Sequence, residues 1–380
     1  MLIKVGLGTN AQMLVFTLSD HPKAKDQVFG DVKVTSHSGL STTEIILLAN
    51  IQEMRPSTKR VLICENRTGI LGQVISKKLP DLEVTQHSFD HFYHQRLEDR
   101  WENSEVSFTL GDRLNEKELF DEILIQFSQS LSAEFLADML QQAYGCLVKG
   151  GRLWVALESR HGNVFKDIKN RYGALSEVPH PKGKLIRIKK NAPLKKIKSY
   201  ESEVSCPIPG KEALNIKTRP GIFAHRRVDG GAMALIKKVQ LDGEEKVLEM
   251  GCGSGVVSLA LKRLHPNISM YALDSHAVAV SQTGKNAESN GLHLDGLQLT
   301  SSGWKGEEQF DVLIGNPPYF GDHRLSALFI DEARRLLVSK GSLWLVAKSM
   351  SWNLEYAKDS FDLSEEFTHS DYQVVRLIKK

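Results

Sequence analysis

In the second half of the chain, short apolar runs rich in β-formers alternate with stretches of helical periodicity. Val247–Met250, Ile268–Leu273, Leu297–Thr300, Val312–Ile314 and Leu343–Ala347 read as strands, and Val256–Leu264, Ala277–Asn290 and Leu325–Val338 read as helices. Strands and helices taken in turn build βαβ units, so the pattern predicts an α/β fold with a doubly wound, mostly parallel sheet. The last apolar-alternating segment, Tyr372–Ile378, is expected as a final strand inserted beside its neighbours.

The same pattern is written twice. At a lag of roughly 186–190 residues, Arg60-Val61-Leu62 lines up with Lys246-Val247-Leu248, Gly69 with Gly255, Pro80 with Pro266 and Phe120-Asp121 with Phe310-Asp311. Further on, Leu147-Val148-Lys149-Gly150-Gly151-Arg152-Leu153-Trp154 matches Leu337-Val338-Ser339-Lys340-Gly341-Ser342-Leu343-Trp344, and Leu185–Ile188 matches Val374–Leu377. The order and the near-constant lag predict two tandem Rossmann-like domains, 1–195 and 196–380, produced by internal duplication. The boundary is expected in the lysine-rich stretch near Asn191–Ser199.

Composition narrows the class. With 380 residues, 41% hydrophobic and 25% charged, the chain has the make-up of a soluble globular protein of two domains. It contains no apolar run near the ~18 residues of a membrane span, and Met1–Val5 does not open a secretory signal. Cys64, Cys146, Cys206 and Cys252 are scattered, which argues against a zinc site or a disulfide framework and suits the cytoplasm. The net charge of +3 is nearly neutral for this length, yet Lys182–Lys198 holds eight Lys or Arg and no acid. That run is either a solvated linker or a phosphate-contacting surface.

Candidate chemistry sits in the second copy. Val247–Met250 runs into Gly251-Cys252-Gly253-Ser254-Gly255, a glycine-rich turn opening a helix. Such a turn lets the backbone approach a ligand closely, and dinucleotide enzymes use a related one. Glu249, just before the turn, suits an amine-bearing ligand and would stand badly beside a pyrophosphate. Asp274 follows the next strand, where an acid accepts both ribose hydroxyls; its alternative role is as cap of the following helix. Together they favour an adenosine ligand without phosphates. Farther on, Asn316-Pro317-Pro318-Tyr319 stands at the carboxyl end of a buried strand, where ligands of open α/β sheets bind. Two prolines fix the backbone and remove amide donors, so the turn presents acceptors. Asn316 and the Pro317 carbonyl can take both protons of a planar amino group, draw its lone pair out of conjugation and aim it at an electrophilic methyl. Tyr319 offers a face on which a base stacks.

This order of Glu-x-Gly-x-Gly-x-Gly, an acid and Asn-Pro-Pro-Tyr resembles class I methyltransferases that modify exocyclic or amide nitrogens. With Pro220-Gly221-Ile222-Phe223 and Val228-Asp229 ahead of it, and a degenerate copy in front, the whole chain resembles the RsmC/RlmG family of ribosomal RNA guanine-N2 methyltransferases. The resemblance implies S-adenosylmethionine as cofactor, held by Glu249, Gly251, Gly253, Gly255 and Asp274, with Phe223 and Asp229 closing over it. Ser302, in the Ser301-Ser302 pair, stands where the family often has Asp or Asn beside the adenine. Asn316 and Pro317 would hold the amine of a flipped guanine and Tyr319 would stack on it. The family usually has Phe-His where this chain has Tyr319-Phe320, and Ser where it has Ala224. The expected partner is ribosomal RNA or a ribosomal subunit, 16S RNA before 23S RNA, with no metal, no membrane and a monomeric enzyme.

The first copy lacks all three motifs. Ile63-Cys64-Glu65-Asn66-Arg67-Thr68-Gly69 keeps one glycine, Ser88 takes the place of Asp274, and Gln126-Phe127-Ser128-Gln129 takes that of Asn-Pro-Pro-Tyr. It is therefore expected to support folding and RNA binding without binding the cofactor. His225-Arg226-Arg227, beside the expected pocket, are candidates for RNA phosphate contact. The rival readings are the same chemistry on a glutamine or an adenine, and a non-catalytic RNA-binding assembly factor with a vestigial cofactor fold.

Overall fold

A computed structural model describes residues 13–19, 23–37, 39–127, 132–159, 162–172, 175–318 and 323–380. The chain divides into two compact units, Met1–Ser199 and Tyr200–Lys380. In the first, β1 (Leu14–Thr17), β2 (Lys25–Phe29), β3 (Val32–Ser36) and α1 (Thr42–Leu48) precede β4 (Arg60–Cys64), α2 (Ile70–Lys78), β5 (Glu83–Ser88), α3 (His91–Arg100) and β6 (Ser107–Leu110). Then come β7 (Phe120–Gln126), α4 (Ala133–Gly145), β8 (Leu147–Glu158), α5 (Gly162–Tyr172), β9 (Leu175–His180) and β10 (Gly183–Lys189). The second unit opens with a hairpin, β11 (Ser202–Ile208) and β12 (Lys211–Thr218), then α6 (Gly230–Lys238), β13 (Lys246–Met250), α7 (Val256–Leu264), β14 (Ser269–Asp274), α8 (Ala277–Ser289) and β15 (Gly296–Leu299). It closes with β16 (Phe310–Gly315), α9 (Arg324–Leu336), β17 (Leu337–Ala347), α10 (Ser351–Ala357), β18 (Phe361–His369) and β19 (Tyr372–Lys379).

The duplication is visible strand by strand. One seven-stranded sheet runs β6-β5-β4-β7-β8-β10-β9 and the other β15-β14-β13-β16-β17-β19-β18. In each, the first five strands are parallel and the sixth, β10 or β19, runs antiparallel to both its neighbours. The expected last strand is β19, inserted between β17 and β18. At the middle of each sheet lies a fully buried tryptophan with an arginine over its ring: Arg187 at 4.9 Å from Trp154 and Arg376 at 5.6 Å from Trp344. The Leu-Val repeat at 147 and 337 marks a bulge in the fifth strand, where Gly150 and Lys340 both take positive φ, 84° and 65°.

Some elements escaped the pattern. Leu337 and Val338 were expected to close a helix, but the backbone turns at Leu337 and opens β17 there. β18 alternates exposed and half-buried positions and leans on β19 alone, so its sequence reads as polar. α6, the β11–β12 hairpin and the small β1-β3-β2 sheet likewise carried no strong periodic signal.

The two sheets differ most at Glu122, which sits where the second unit has Val312. Glu122 is fully buried and accepts from Arg55 at 3.0 Å, Arg152 at 2.8 Å and the Trp154 indole N–H at 2.6 Å. Truncating one member of such a group strands the others. Glu122→Ala should therefore cost the first unit about 3–5 kcal/mol in a denaturant melt.

Candidate active site

Glycine-rich backbone geometry builds the first half of the site. β13 enters the sheet buried along Val247–Met250 and leaves it into a turn in which Gly251, Gly253 and Gly255 take φ of 74°, 57° and 82°. Residues with a Cβ rarely adopt those values, and Gly255 is also the cap of α7. The turn is tied down by the Gly251 and Cys252 amides, which donate to the Leu273 carbonyl, and by the Thr283 hydroxyl, which donates to the Gly253 carbonyl at 3.1 Å. The half-buried carboxylate of Asp274 accepts the Gly253 amide at 2.9 Å through one oxygen and the His276 amide at 2.9 Å through the other. His276, not Asp274, is the cap residue of α8. Asp274 thus holds the turn from the neighbouring strand, and burial raises its carboxyl above the usual range.

Glu249 is buried, and one of its oxygens accepts both the backbone amide and the hydroxyl of Ser258. Its other oxygen has no hydrogen bond among the described residues. Burial pushes the carboxyl up to about 8, with the Ser258 bonds opposing the shift and Asp274 reinforcing it.

The second half comes from the neighbouring strand. Met250 pairs with Gly315, so β13 and β16 deliver the glycine turn and Asn316 to the same edge at the same level. The Asn316 amide nitrogen donates to Asp229 Oδ2 at 2.9 Å, and the same oxygen accepts the Ala232 amide at 3.1 Å as the cap of α6. A Cβ at Gly231 would stand 2.9 Å from that oxygen and 3.0 Å from the Asn316 nitrogen, so the pair depends on a glycine there. Under both halves lies Phe329 of α9. A Cβ at Gly315 would meet its ring at 2.4 Å and one at Gly251 at 3.3 Å. Neither Gly231 nor Phe329 was singled out from the sequence. Phe329 was legible as an inward position of an amphipathic helix, and Gly231 carried no signal beyond its size.

The other expected site residues are more dispersed. Ile222 lies within reach of the turn, 4.0 Å from where a Gly253 Cβ would be, while Phe223 next to it is 56% exposed. Their loop is a chain of tight turns in which Ala224 and Arg226 take φ of 57° and 70°, and the Thr218 hydroxyl both pairs with His225 at 2.9 Å and accepts the Arg226 amide. His225 therefore braces the loop, whereas Arg226 and Arg227 are exposed. Ser302 is exposed in a turn after β15 whose amide it bonds to Thr300; a Cβ at Gly303 in that turn would collide with Glu332 of α9. Asp229, expected over the cofactor, has its contacts with α6 and Asn316. Pro317 and Pro318 follow Asn316 outside the sheet, and Tyr319 lies outside the described residues.

The first unit keeps this backbone and fills it. Glu65 stands at the position of Gly251 with φ 62°, and Gly69 at that of Gly255 with φ 78°. Arg67 lies over the Tyr93 ring at 4.3 Å, and Glu65 accepts the Phe89 amide at 3.5 Å. Asn66 donates to Gln126 at 2.8 Å and to buried Glu44 at 2.9 Å. Gln126, at the position of Asn316, donates to Ser41, the cap of α1, at 2.8 Å, repeating the Asn316–Asp229 pairing with neutral partners.

Residues 213–376 match the methyltransferase small domain family. Among curated relatives, a ribosomal RNA small subunit methyltransferase C from Shewanella loihica is 24% identical over 81% of this chain and 90% of its own length. One from Pseudomonas aeruginosa is 29% identical over 56% of this chain and 66% of its own. A solved structure of the T. thermophilus 16S rRNA N2 G1207 methyltransferase (RsmC), in complex with AdoMet and guanosine, covers 96% of this chain and 100% of its own at 19% identity and a TM-score of 0.74. The fold is that of two tandem class I methyltransferase-like units, of which the second carries the glycine turn and the Asn-Pro-Pro segment. The second unit thus matches the methyltransferase small domain family, and the chain as a whole is similar to small subunit methyltransferase C proteins in sequence and to one of them in fold.

The raised carboxyl of Glu249 has a measurable sign. Its folded value of about 8 lies above the ordinary 4.5, so the folded state holds a proton there that the unfolded chain has released. Stability associated with this group is therefore full below about pH 4.5 and is lost as pH rises towards 8. Replacing Glu249 by Gln should gain stability relative to the native chain as pH rises through that window, read from denaturation midpoints; a difference independent of pH would refute the assignment.

Proposed function

We propose that this chain transfers a methyl group from S-adenosylmethionine to the exocyclic N2 amine of a guanine in ribosomal RNA, with 16S RNA as the substrate. The observation that carries the reading is the Asn316 amide, anchored by Asp229 one strand away from a turn whose three glycines all take positive φ. Supporting it are relatives named as small-subunit RNA methyltransferases and the fold shared with a guanosine-bound member.

The residues present fit the cofactor. Gly251 and Gly253 expose backbone at a strand end, Asp274 is half-buried where ribose hydroxyls would sit, and the second oxygen of Glu249 is an acceptor for an ammonium group. When bound, the cofactor supplies a methyl group activated by a positive sulfur. The chain supplies position. Asn316 spends its amide nitrogen on Asp229, so an incoming amino group meets the acceptor oxygen. That oxygen and the Pro317 carbonyl take the two N–H bonds of the guanine amine, turning its lone pair out of the ring plane and towards the methyl, with Tyr319 against the base. The surplus proton leaves to water after transfer, so catalysis rests on alignment and hydrogen bonding. Phe223, exposed beside Ile222, closes over the cofactor, Ser302 borders its adenine side, and Arg226 and Arg227 meet RNA phosphate. The first unit, its own turn filled by Glu65 and Arg67, supports folding and RNA binding. The enzyme works on its RNA in the cytoplasm.

Asn316→Ala should lower kcat by about 10²–10³, the usual loss for one aligned hydrogen-bonding group, while calorimetry shows cofactor affinity nearly intact. Asp229→Asn keeps the helix cap and should fall between that variant and the native chain. The decisive experiment maps guanine methylation in 16S and 23S RNA from a strain lacking the gene. One 16S guanine should lose its methyl group and regain it with the native gene but not with Asn316→Ala; unchanged methylation in both RNAs would overturn the reading.

A further inference from the structure

Beside the site lies a column of rings. His323 stacks on Trp352 with centroids 4.5 Å apart and 8° between planes, and Trp352 stacks on Tyr356 at 4.9 Å and 14°. Arg334 covers the Tyr356 ring at 4.8 Å. Asp331 fixes that end, accepting the Tyr356 hydroxyl at 3.0 Å and pairing with Arg334 at 2.5 Å. His323 and Tyr356 are exposed, and among the described residues no further ring stacks on His323.

The column stands at the edge that carries the chemistry. His323 caps α9, the helix whose Phe329 packs on Gly315 and Gly251. Trp352 and Tyr356 belong to α10, which follows the end of β17, and β17 pairs Leu345 with Gly315. His323 also holds a left-handed backbone, φ 62°, that an ordinary residue adopts at a cost of ~1–2 kcal/mol. Exposed Arg324 follows His323 in the chain and exposed Lys348 precedes α10, so the segments that carry the column also carry positive charge.

We propose that this column is a stacking site for an unpaired RNA base next to the target guanine. A base extruded for reaction leaves its neighbour unstacked, and flat ring faces accept any base, with cations meeting the adjoining phosphates. Asp331 and Arg334 hold the rings in place beforehand, so little ordering is needed on binding. The proposal rests on the RNA methyltransferase reading for the identity of the nucleic acid.

Trp352 reports on it through His323, which lies between Trp352 and the incoming base. Of the five tryptophans, Trp101, Trp154, Trp304 and Trp344 are buried, leaving Trp352 as the accessible one. Titration with a short unpaired RNA oligonucleotide should quench the intrinsic fluorescence, and the same sequence in a duplex should not. Trp352→Phe should keep affinity and abolish the quench. His323→Gly, which suits the backbone, should raise Kd about tenfold or more with cofactor affinity unchanged, and His323→Tyr should restore binding. Native affinity in His323→Gly, or quenching that survives Trp352→Phe, would overturn the proposal. If the native protein shows the quench and the variant losses but transfers no methyl group to ribosomal RNA, the column stands and the proposed activity falls. If methylation is intact and His323→Gly binds as the native chain does, the column alone falls.

Discussion

Two parallel strands that end side by side, Lys246–Met250 and Phe310–Gly315, set the geometry on which everything else in the second unit depends. Neighbouring strands lie ~4.8 Å apart, so whatever leaves one carboxyl end faces whatever leaves the other. The glycine turn and the Asn-Pro-Pro segment need no long-range device to meet; the sheet register brings them together. What remains for the surrounding structure is orientation. Asp229 turns one amide, Asp274 holds one turn, and Phe329 supports both from beneath.

The first unit shows the same scaffold with its turn and strand end tied up in internal contacts. Asp274 in the second unit reaches from strand to turn, while Glu65 in the first reaches from turn back to the Phe89 amide. The acid has changed sides and the hydrogen bond has been kept. Asn66, Glu44, Gln126 and Ser41 then satisfy one another, which a buried polar cluster requires once no ligand supplies partners. Glu65 still occupies left-handed backbone, a conformation poorly suited to a side chain, at the position where the second unit has Gly251.

Much of this was legible in the sequence because period and punctuation are local properties. The parallel strands of the second unit, the three helices between them and the doubling of the domain follow from apolar spacing and a fixed lag. β18 was not legible because an edge strand supported on one side has no apolar face to announce it. The turn and Asn316 were recognisable from residue types alone. The partnership of Asp229 with Asn316 was not, since it joins segments far apart in the chain, and Asp229 was assigned to the cofactor instead. His225, taken for a phosphate contact, braces its own loop because Thr218 lies across from it, a proximity that only the folded hairpin creates.

Phe329 touches the space above two glycines at once, one in each motif. Its ring makes the glycine turn and the strand that leads into Asn316 a single mechanical object. A larger residue at Gly315 must displace the ring, and a displaced ring no longer supports Gly251. Substitutions at these three positions should therefore be inherited together rather than singly, so the alphabet allowed to each motif is written partly in the other.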